Sequence, residues 1–395
     1  MALLQISDPR ERALVAAADA VLAPLAMFRR RGAAQHPPQR VLCFRLERIG
    51  DLLMTLPALA ELRRALPHAE IDLVVGGWND ELAKAIPGVT RVEALDAAWL
   101  ARDRAGTHGP LSLARRVRRL RHHRYDLAIN FEPDIRSNFA LKAAGARRLA
   151  GFGSGGGGAL LDLALDYDPS AHTADNALRL VRRTLGLEDG PSPQAGLAIP
   201  DALAGEAARL LAPLGGRLKV GMHVSGGRAI KQWPEERFRD VALRLVEDRG
   251  ASIVLTGAPA DREQIRIVRR ALPADRVVDL TDDRERGPSA APLDLVTVAA
   301  VLQRLDLFVT GDTGPMHLAH AVGTPIVAVF GPSDPARYGP RGLRDHVVRV
   351  DLPCSPCNRI RRPPARCTGH TPDCLTGIGT AAVLAAIDEA LGDRG

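Results

Sequence analysis

Short apolar runs, each followed by a small-residue turn and a segment of helical spacing, succeed one another along two stretches of this chain. Val41-Leu42-Cys43-Phe44 reads as a buried strand, Ile49-Gly50-Asp51 as a turn, Leu52 to Leu66 as a helix ended by Pro67, and Ile71 to Val75 as the next strand. That order is a βαβ unit, with parallel strands and a right-handed crossover. An arginine-rich helix over Leu111 to Arg124 and a strand from Asp126 to Phe131 continue it. A flexible loop at Gly153 to Gly158 and a connection from Gly190 to Pro200, with Pro191 and Pro193, then interrupt the pattern. It restarts with strands predicted at Lys219–Val224, Ile253–Thr256, Val277–Leu280, Leu307–Thr310 and Ile326–Phe330. Helices are predicted at Phe238–Glu247, Asp261–Leu272, Leu293–Leu302 and Pro315–Ala321. The expectation is an α/β chain of two Rossmann-like, doubly wound domains facing across a cleft. Their boundaries are 40–195 and 196–395, with a helical extension over 1–39 and a cysteine-rich segment at 353–375. Ligands of such sheets sit at the carboxyl ends of the strands, so the loops after the strands are where chemistry is expected.

The 395 residues suffice for two domains that each bury a core. No apolar run reaches about 18 residues, which argues against a spanning helix. The net charge of +7 favours anionic partners such as phosphorylated sugars, nucleotides or a lipid surface, although an arginine- and alanine-rich bias would account for it equally. Aromatic residues make up only 4%, which argues against a base-stacking platform for nucleic acid. The apolar stretch Ala13 to Phe28 is broken by Asp19, preceded by Arg10 and Arg12 and followed by Arg29, Arg30 and Arg31, so it makes a poor signal peptide. It reads as a helix docked on the protein or as one lying on an anionic membrane surface. The chain is taken as cytoplasmic, with peripheral contact at the inner membrane as the sharper alternative.

Three loops carry candidate chemistry. In Arg45-x-x-Arg48-Ile49-Gly50-Asp51, Gly50 permits a tight turn and Asp51 stands at a helix start, either as an N-cap or as a general base for an acceptor hydroxyl. In Gly311-Asp312-Thr313-Gly314-Pro315-Met316-His317, Pro315 suits a first helical turn, and the N–H groups of Thr313, Gly314 and Met316 would suit a pyrophosphate. In His223-Val224-Ser225-Gly226-Gly227, followed by Lys231-Gln232-Trp233-Pro234, a small-residue loop and a lysine could hold diphosphate oxygens. The plain readings are an ordinary helix start for the second and a solvated lysine for the third.

In combination these segments resemble the heptosyltransferases of glycosyltransferase family 9, enzymes of GT-B fold that use ADP-heptose in lipopolysaccharide synthesis. The resemblance rests on the stretch from Arg45 to Pro57, on Lys231-Gln-Trp-Pro-Glu-Glu-Arg-Phe238, and on Gly311 to His317 followed by Gly323 to Ser333, and it runs from about Arg40 to Leu391. It implies an acceptor domain first and a nucleotide-sugar donor domain second. Asp51 would be the base, Lys231 would neutralise the donor diphosphate, and Ser225 and Gly226 would form a phosphate loop. Asp312, Thr313, Gly314 and His317 would form the donor turn, and Asp261, or equally Glu263, would lie near the nucleoside. The implied reaction is inverting and needs no metal; accordingly Asp166, Asp168, Asp282 and Asp283 are read as surface carboxylates.

Glu47 and Arg48 stand where the family would have small residues, which bears on acceptor specificity. Arg48 and Arg136, the latter following the strand that ends at Phe131, are the candidates for acceptor contact. Arg115, Arg116, Arg118, Arg119, Arg121 and Arg124 form either a solvated helix face or an attraction for an anionic saccharide, glycolipid or leaflet. Cys354, Cys357, Cys367 and Cys374 are spaced for a tetrahedral thiolate site, a structural zinc or iron, with unligated thiols as the alternative; related autotransporter enzymes bind iron through such a finger. Cys43 reads as core. A GT-B enzyme with another nucleotide sugar or acceptor, or a catalytically idle sugar-nucleotide-binding subunit, are the competing readings. An NAD-linked dehydrogenase is disfavoured because no G-x-G-x-x-G follows the first strand.

Overall fold

The computed structural model describes residues 4–6, 8–24, 36–100, 109–282 and 293–392. Phe28, Arg29, Arg30, Arg31 and Asp283 lie outside them. The chain divides into two compact units, Met1–Gly196 and Leu197–Gly395.

In the first unit the strands are β1 (Arg40–Arg45), β2 (Glu70–Val75), β3 (Arg91–Ala94), β4 (Leu127–Asn130), β5 (Arg148–Phe152) and β6 (Leu163–Leu165). They form one parallel sheet in the order β3-β2-β1-β4-β5-β6. The second unit carries β7 (Lys219–His223), β8 (Ser252–Thr256), β9 (Val277–Asp279), β10 (Leu307–Gly311), β11 (Ile326–Val329) and β12 (His346–Val348), ordered β12-β11-β10-β7-β8-β9. The strands stay parallel, but the order in which the chain adds them reverses once, between β1 and β4 in the first sheet and between β7 and β10 in the second. A doubly wound sheet opens its ligand crevice at that reversal. The central strands are buried on both faces, as sheets covered by helices on either side require, and this is why they read as uninterrupted apolar runs.

Several elements differ from expectation. The helix expected from Leu52 to Leu66 is two helices, Ile49–Leu53 and Leu56–Ala65, because Pro57 has no N–H to donate across the junction at Thr55. The arginine-rich helix runs over Pro110–Arg119, tightens to a 3₁₀ turn at Leu120–His123, and ends at Arg124 with φ +52°. Strands β3, β5, β6 and β12 and the helices Ile135–Ala143, Thr173–Leu185, Asp201–Leu211 and Thr380–Leu391 were not expected.

The N-terminal helix, Pro9–Leu22, is capped by Asp8 and docks on the Gly-rich loop of its own unit. Val15 is buried over Gly156, where any side chain would collide with it. Asp19 accepts the Gly157 N–H at 2.6 Å, and the Gln5 N–H donates to the Ser154 carbonyl at 2.8 Å. Leu14 and Val21 remain exposed. No helix among the described residues is long and apolar enough to cross a membrane.

Candidate functional site

The reversal point of the first sheet brings the ends of β1 and β4 side by side, with Phe44 in register with Asn130. Arg45, the last residue of β1, is only 2% exposed. Its Nε donates to the Asp51 carbonyl at 3.0 Å and its Nη1 to the Phe131 carbonyl at 2.8 Å. The same guanidinium lies 3.0 Å from the Glu47 carboxylate and 3.6 Å from that of Asp51. Asp51 is the third residue of the short helix Ile49–Leu53, and its Oδ2 accepts the Arg48 backbone N–H at 3.2 Å. Its side chain stays 27% exposed, enough to meet a solute. The N-cap of that helix is Arg48, so Asp51 is not the cap that one reading expected; it bonds back to the cap from the third helical position.

Opposite lies Glu132, a buried carboxyl one residue beyond Phe131. It accepts the Leu46 N–H and the Ser137 hydroxyl. Burial pushes the Glu132 carboxyl above the usual range, against the pull of Ser137 and Arg45. Burial and then the neighbouring Asp51 also push Glu47 upward, opposed by Arg45. Arg45 itself stays charged because Glu47, Asp51 and Glu132 more than offset the effect of its burial. Sequence reasoning placed Arg45 at the head of the first motif without giving it a role, and it missed Glu132 and Ser137. The apolar strand ending at Phe131 was a signal for Glu132, but only the strand order puts it beside β1.

The reversal point of the second sheet brings together the loops after β7 and β10, with His223 in register with Thr310. After β7, Ser225 is buried and its Oγ accepts the Gly227 N–H at 3.1 Å. The Gly226 N–H donates to Gln232 Oε1 at 2.6 Å, and a Cβ at Gly226 would lie 2.6 Å from the Gln232 nitrogen and the Lys231 carbonyl carbon. Only glycine lets the backbone double back that closely. Lys231 is not a solvated lysine: its Nζ donates to Asp312 Oδ2 at 2.9 Å. Burial works against the Asp312 charge, but Lys231, with help from Ser333 and His317, holds its carboxyl below the usual range. Thr313 is the N-cap of the helix Gly314–Ala321 and makes no side-chain bond to the first turn, whose N–H groups are left to another acceptor. The positive end of that helix and the Lys231 ammonium therefore meet around Asp312, an arrangement suited to phosphate oxygens.

The remaining candidates are placed as follows. His317 is buried in the second turn of that helix. Asp261 accepts the Ala258 N–H at 2.7 Å and lies near enough to act on the buried His223, whereas Glu263 is exposed and bound to Arg266 at 2.9 Å. Arg48 donates to the Leu100 carbonyl at 3.0 Å and lies over the Trp78 ring. Arg136 pairs with its own helix cap, Asp134, reaches Glu11 of the N-terminal helix at 3.7 Å and lies over Trp99. Asp168 accepts from Ser170, closing a turn.

The structure gives no support to the expectation of zinc or iron at the four cysteines. Among the described residues no three His, Cys, Asp or Glu side chains converge to hold a metal. Cys354 is exposed while Cys374 is buried, packed in contact range of Gly331. Burial, and then Cys357, Cys367 and Cys354 nearby, push the Cys374 thiol up to about 11. The segment is held instead by backbone bonds, Cys357 and Asn358 N–H to the Pro332 carbonyl, and by Ser355 Oγ to the Gly331 carbonyl at 2.7 Å.

Comparison with known proteins agrees with this geometry. The sequence profile of glycosyltransferase family 9 (heptosyltransferase) matches residues 113–365. Lipopolysaccharide heptosyltransferase 1 of Pseudomonas aeruginosa is 29% identical over 323 residues, 80% of this chain and 86% of that protein. Among solved structures, the ADP-heptose lipopolysaccharide heptosyltransferase II of E. coli superposes with a TM-score of 0.70 at 21% identity, over 89% of this chain and 98% of that one. E. coli heptosyltransferase WaaC with ADP gives 0.66 at 24% identity, over 89% and 99%. These two establish the shared GT-B fold.

Proposed function

This chain belongs to glycosyltransferase family 9, the heptosyltransferase family, and from that premise we propose that it moves a heptosyl group from ADP-heptose to a lipopolysaccharide core-type acceptor. The observation that carries the reading is the Lys231–Asp312 pair beside the uncapped start of the helix Gly314–Ala321, a ready seat for a nucleotide diphosphate. The second unit is then the donor unit and the first the acceptor unit.

The reaction proposed is an inverting displacement. Asp51 takes the proton of the acceptor hydroxyl, the freed oxygen bonds to the anomeric carbon, and the bond from that carbon to the diphosphate breaks on the opposite face. Negative charge grows on the departing diphosphate, where Lys231 and the Gly314 and Met316 N–H groups stabilise it. Each such donor contributes roughly 10²- to 10³-fold, and a general base about 10²- to 10⁴-fold. With these groups supplying the charge stabilisation, the reading calls for no metal. Asp261 is assigned to the nucleoside side in preference to Glu263, since Glu263 is occupied by Arg266 at the surface. Arg48 and Arg136 are assigned to an anionic acceptor. The exposed Leu14 and Val21, with Arg10 and Arg12 on the same helix, support a peripheral seat at the cytoplasmic face of an inner membrane.

The test is ADP release with ADP-heptose compared with UDP-, GDP- and other ADP-sugars, each with and without heptose-free core acceptor. Release that requires ADP-heptose and acceptor together is expected. Asp51→Asn should then lose about 10²- to 10⁴-fold in kcat at unchanged donor affinity. Selective turnover of a different nucleotide sugar would overturn the donor assignment.

A further inference from the structure

The loop that carries Asp51 is stitched to the neighbouring strand by a buried charge that the transfer chemistry does not itself require. We propose that Arg45 is the positioning residue of the base: its guanidinium fixes the loop 46–51 against the end of β4 and holds the Asp51 carboxylate in one orientation. This rests on the reading of Asp51 as the base.

The geometry supports it in three ways. First, the guanidinium spans the reversal point, one bond reaching the Phe131 carbonyl beyond β4 and another the Asp51 carbonyl within the helix turn. It therefore fixes the distance between β4 and the backbone of the base. A second tie, from the Leu46 N–H to Glu132, joins the same loop to the same strand end. Second, a side chain 2% exposed has few other conformations, so the orientation it imposes is rigid. Third, the contact to the Asp51 carboxylate is looser, at 3.6 Å, than the contact to Glu47 at 3.0 Å. A carboxylate oriented by a distant cation keeps its lone pairs for a hydroxyl proton. A tight bidentate pair would occupy them. The charged and titratable groups around Arg45 are Glu47 and Asp51 on its own loop, Glu132 after β4 and Tyr167 after β6. Glu47, foreign to the small-residue pattern expected there, is the group that draws the guanidinium to one side.

Arg45→Gln removes the cation and Arg45→Lys keeps a cation but cannot bridge both carbonyls. For Arg45→Gln the expected result is a kcat lower by about 10²-fold, with the KM for the donor within about twofold. Arg45→Lys should lose kcat as well, since one ammonium cannot hold the Asp51 and Phe131 carbonyls together, with the donor KM again within about twofold. A purely structural role would lower the melting temperature and leave kcat per folded molecule at the wild-type value for both variants, and that outcome overturns the proposal. If Arg45→Gln does not fold, the decision falls to Arg45→Lys: wild-type kcat in a folded protein overturns the proposal. Asp51→Asn, measured in parallel, separates the two failures. Its retained turnover defeats the base itself, whereas its inactivity beside Arg45 variants of unchanged kcat defeats only the positioning role.

Discussion

Asp312 and Glu132 are both carboxyls at the crevice end of a parallel sheet, yet their proton affinities move in opposite directions. Burial raises both, but Lys231 donates directly to Asp312 and outweighs it, while Glu132 has only a hydroxyl, a backbone N–H and the more distant Arg45. Contact with a cation, more than depth, decides the sign. His223, at the end of β7, shows burial acting on a base: its ring bonds Thr256 Oγ1 at 3.1 Å, and burial lowers its proton affinity despite Asp261 nearby. The unfolded chain, with an ordinary histidine near 6.5, then binds a proton that the folded chain refuses. Stability is therefore full above that value and falls as the pH drops through it. Wild-type melting temperature is expected to fall more steeply from about pH 7.5 to about pH 5.5 than that of His223→Gln. Parallel slopes for the two proteins would remove His223 as the source. None of this was legible residue by residue, because a sequence shows that Lys231 and Asp312 exist but not that 81 positions of chain fold back to join them.

Elements were legible where one cause dominated. Long apolar runs such as Ile253 to Thr256 announced the buried central strands. The unexpected β3 is an edge strand with alternate residues exposed, and β6 and β12 are three residues long, so none offers an apolar run. The break in the helix expected over 52–66 was available in Pro57 but masked by continuous helical spacing on either side. For the N-terminal helix the reading left two environments open, and the structure docks Val15 on glycine while Leu14 and Val21 stay out. That docking depends on Gly156, which has φ +92° and no room for a side chain beneath Val15. Gly156→Ala should cost about 1–3 kcal/mol locally and release the helix. The expected sign is faster cleavage within residues 8–24 in limited proteolysis, with donor binding unchanged; wild-type cleavage rates would show that the helix is held without the glycine loop.

At the level of the molecule, each unit owns a core and a complete six-stranded sheet. The second also contains every residue assigned to the donor, from Ser225 to His317. A fragment of residues 197–395 is therefore expected to fold alone and to bind ADP within about tenfold of the full chain, a difference under ~1.4 kcal/mol, but to release no ADP from ADP-heptose with acceptor. Loss of binding in a folded fragment would place part of the nucleotide site in the first unit. Sequence alone determined the α/β class and the twofold run of βα units, because apolar period, glycine turns and proline breaks act over a few neighbouring residues. It also carried the family motifs, and with them Asp51, Lys231 and the turn at Asp312. The strand order was decided by tertiary structure, and with it the meeting of Arg45 with Phe131 and of Lys231 with Asp312. Those outcomes depend on which distant segments pack side by side, and spacing along a chain does not encode how burial and contact divide a charge among partners brought from elsewhere.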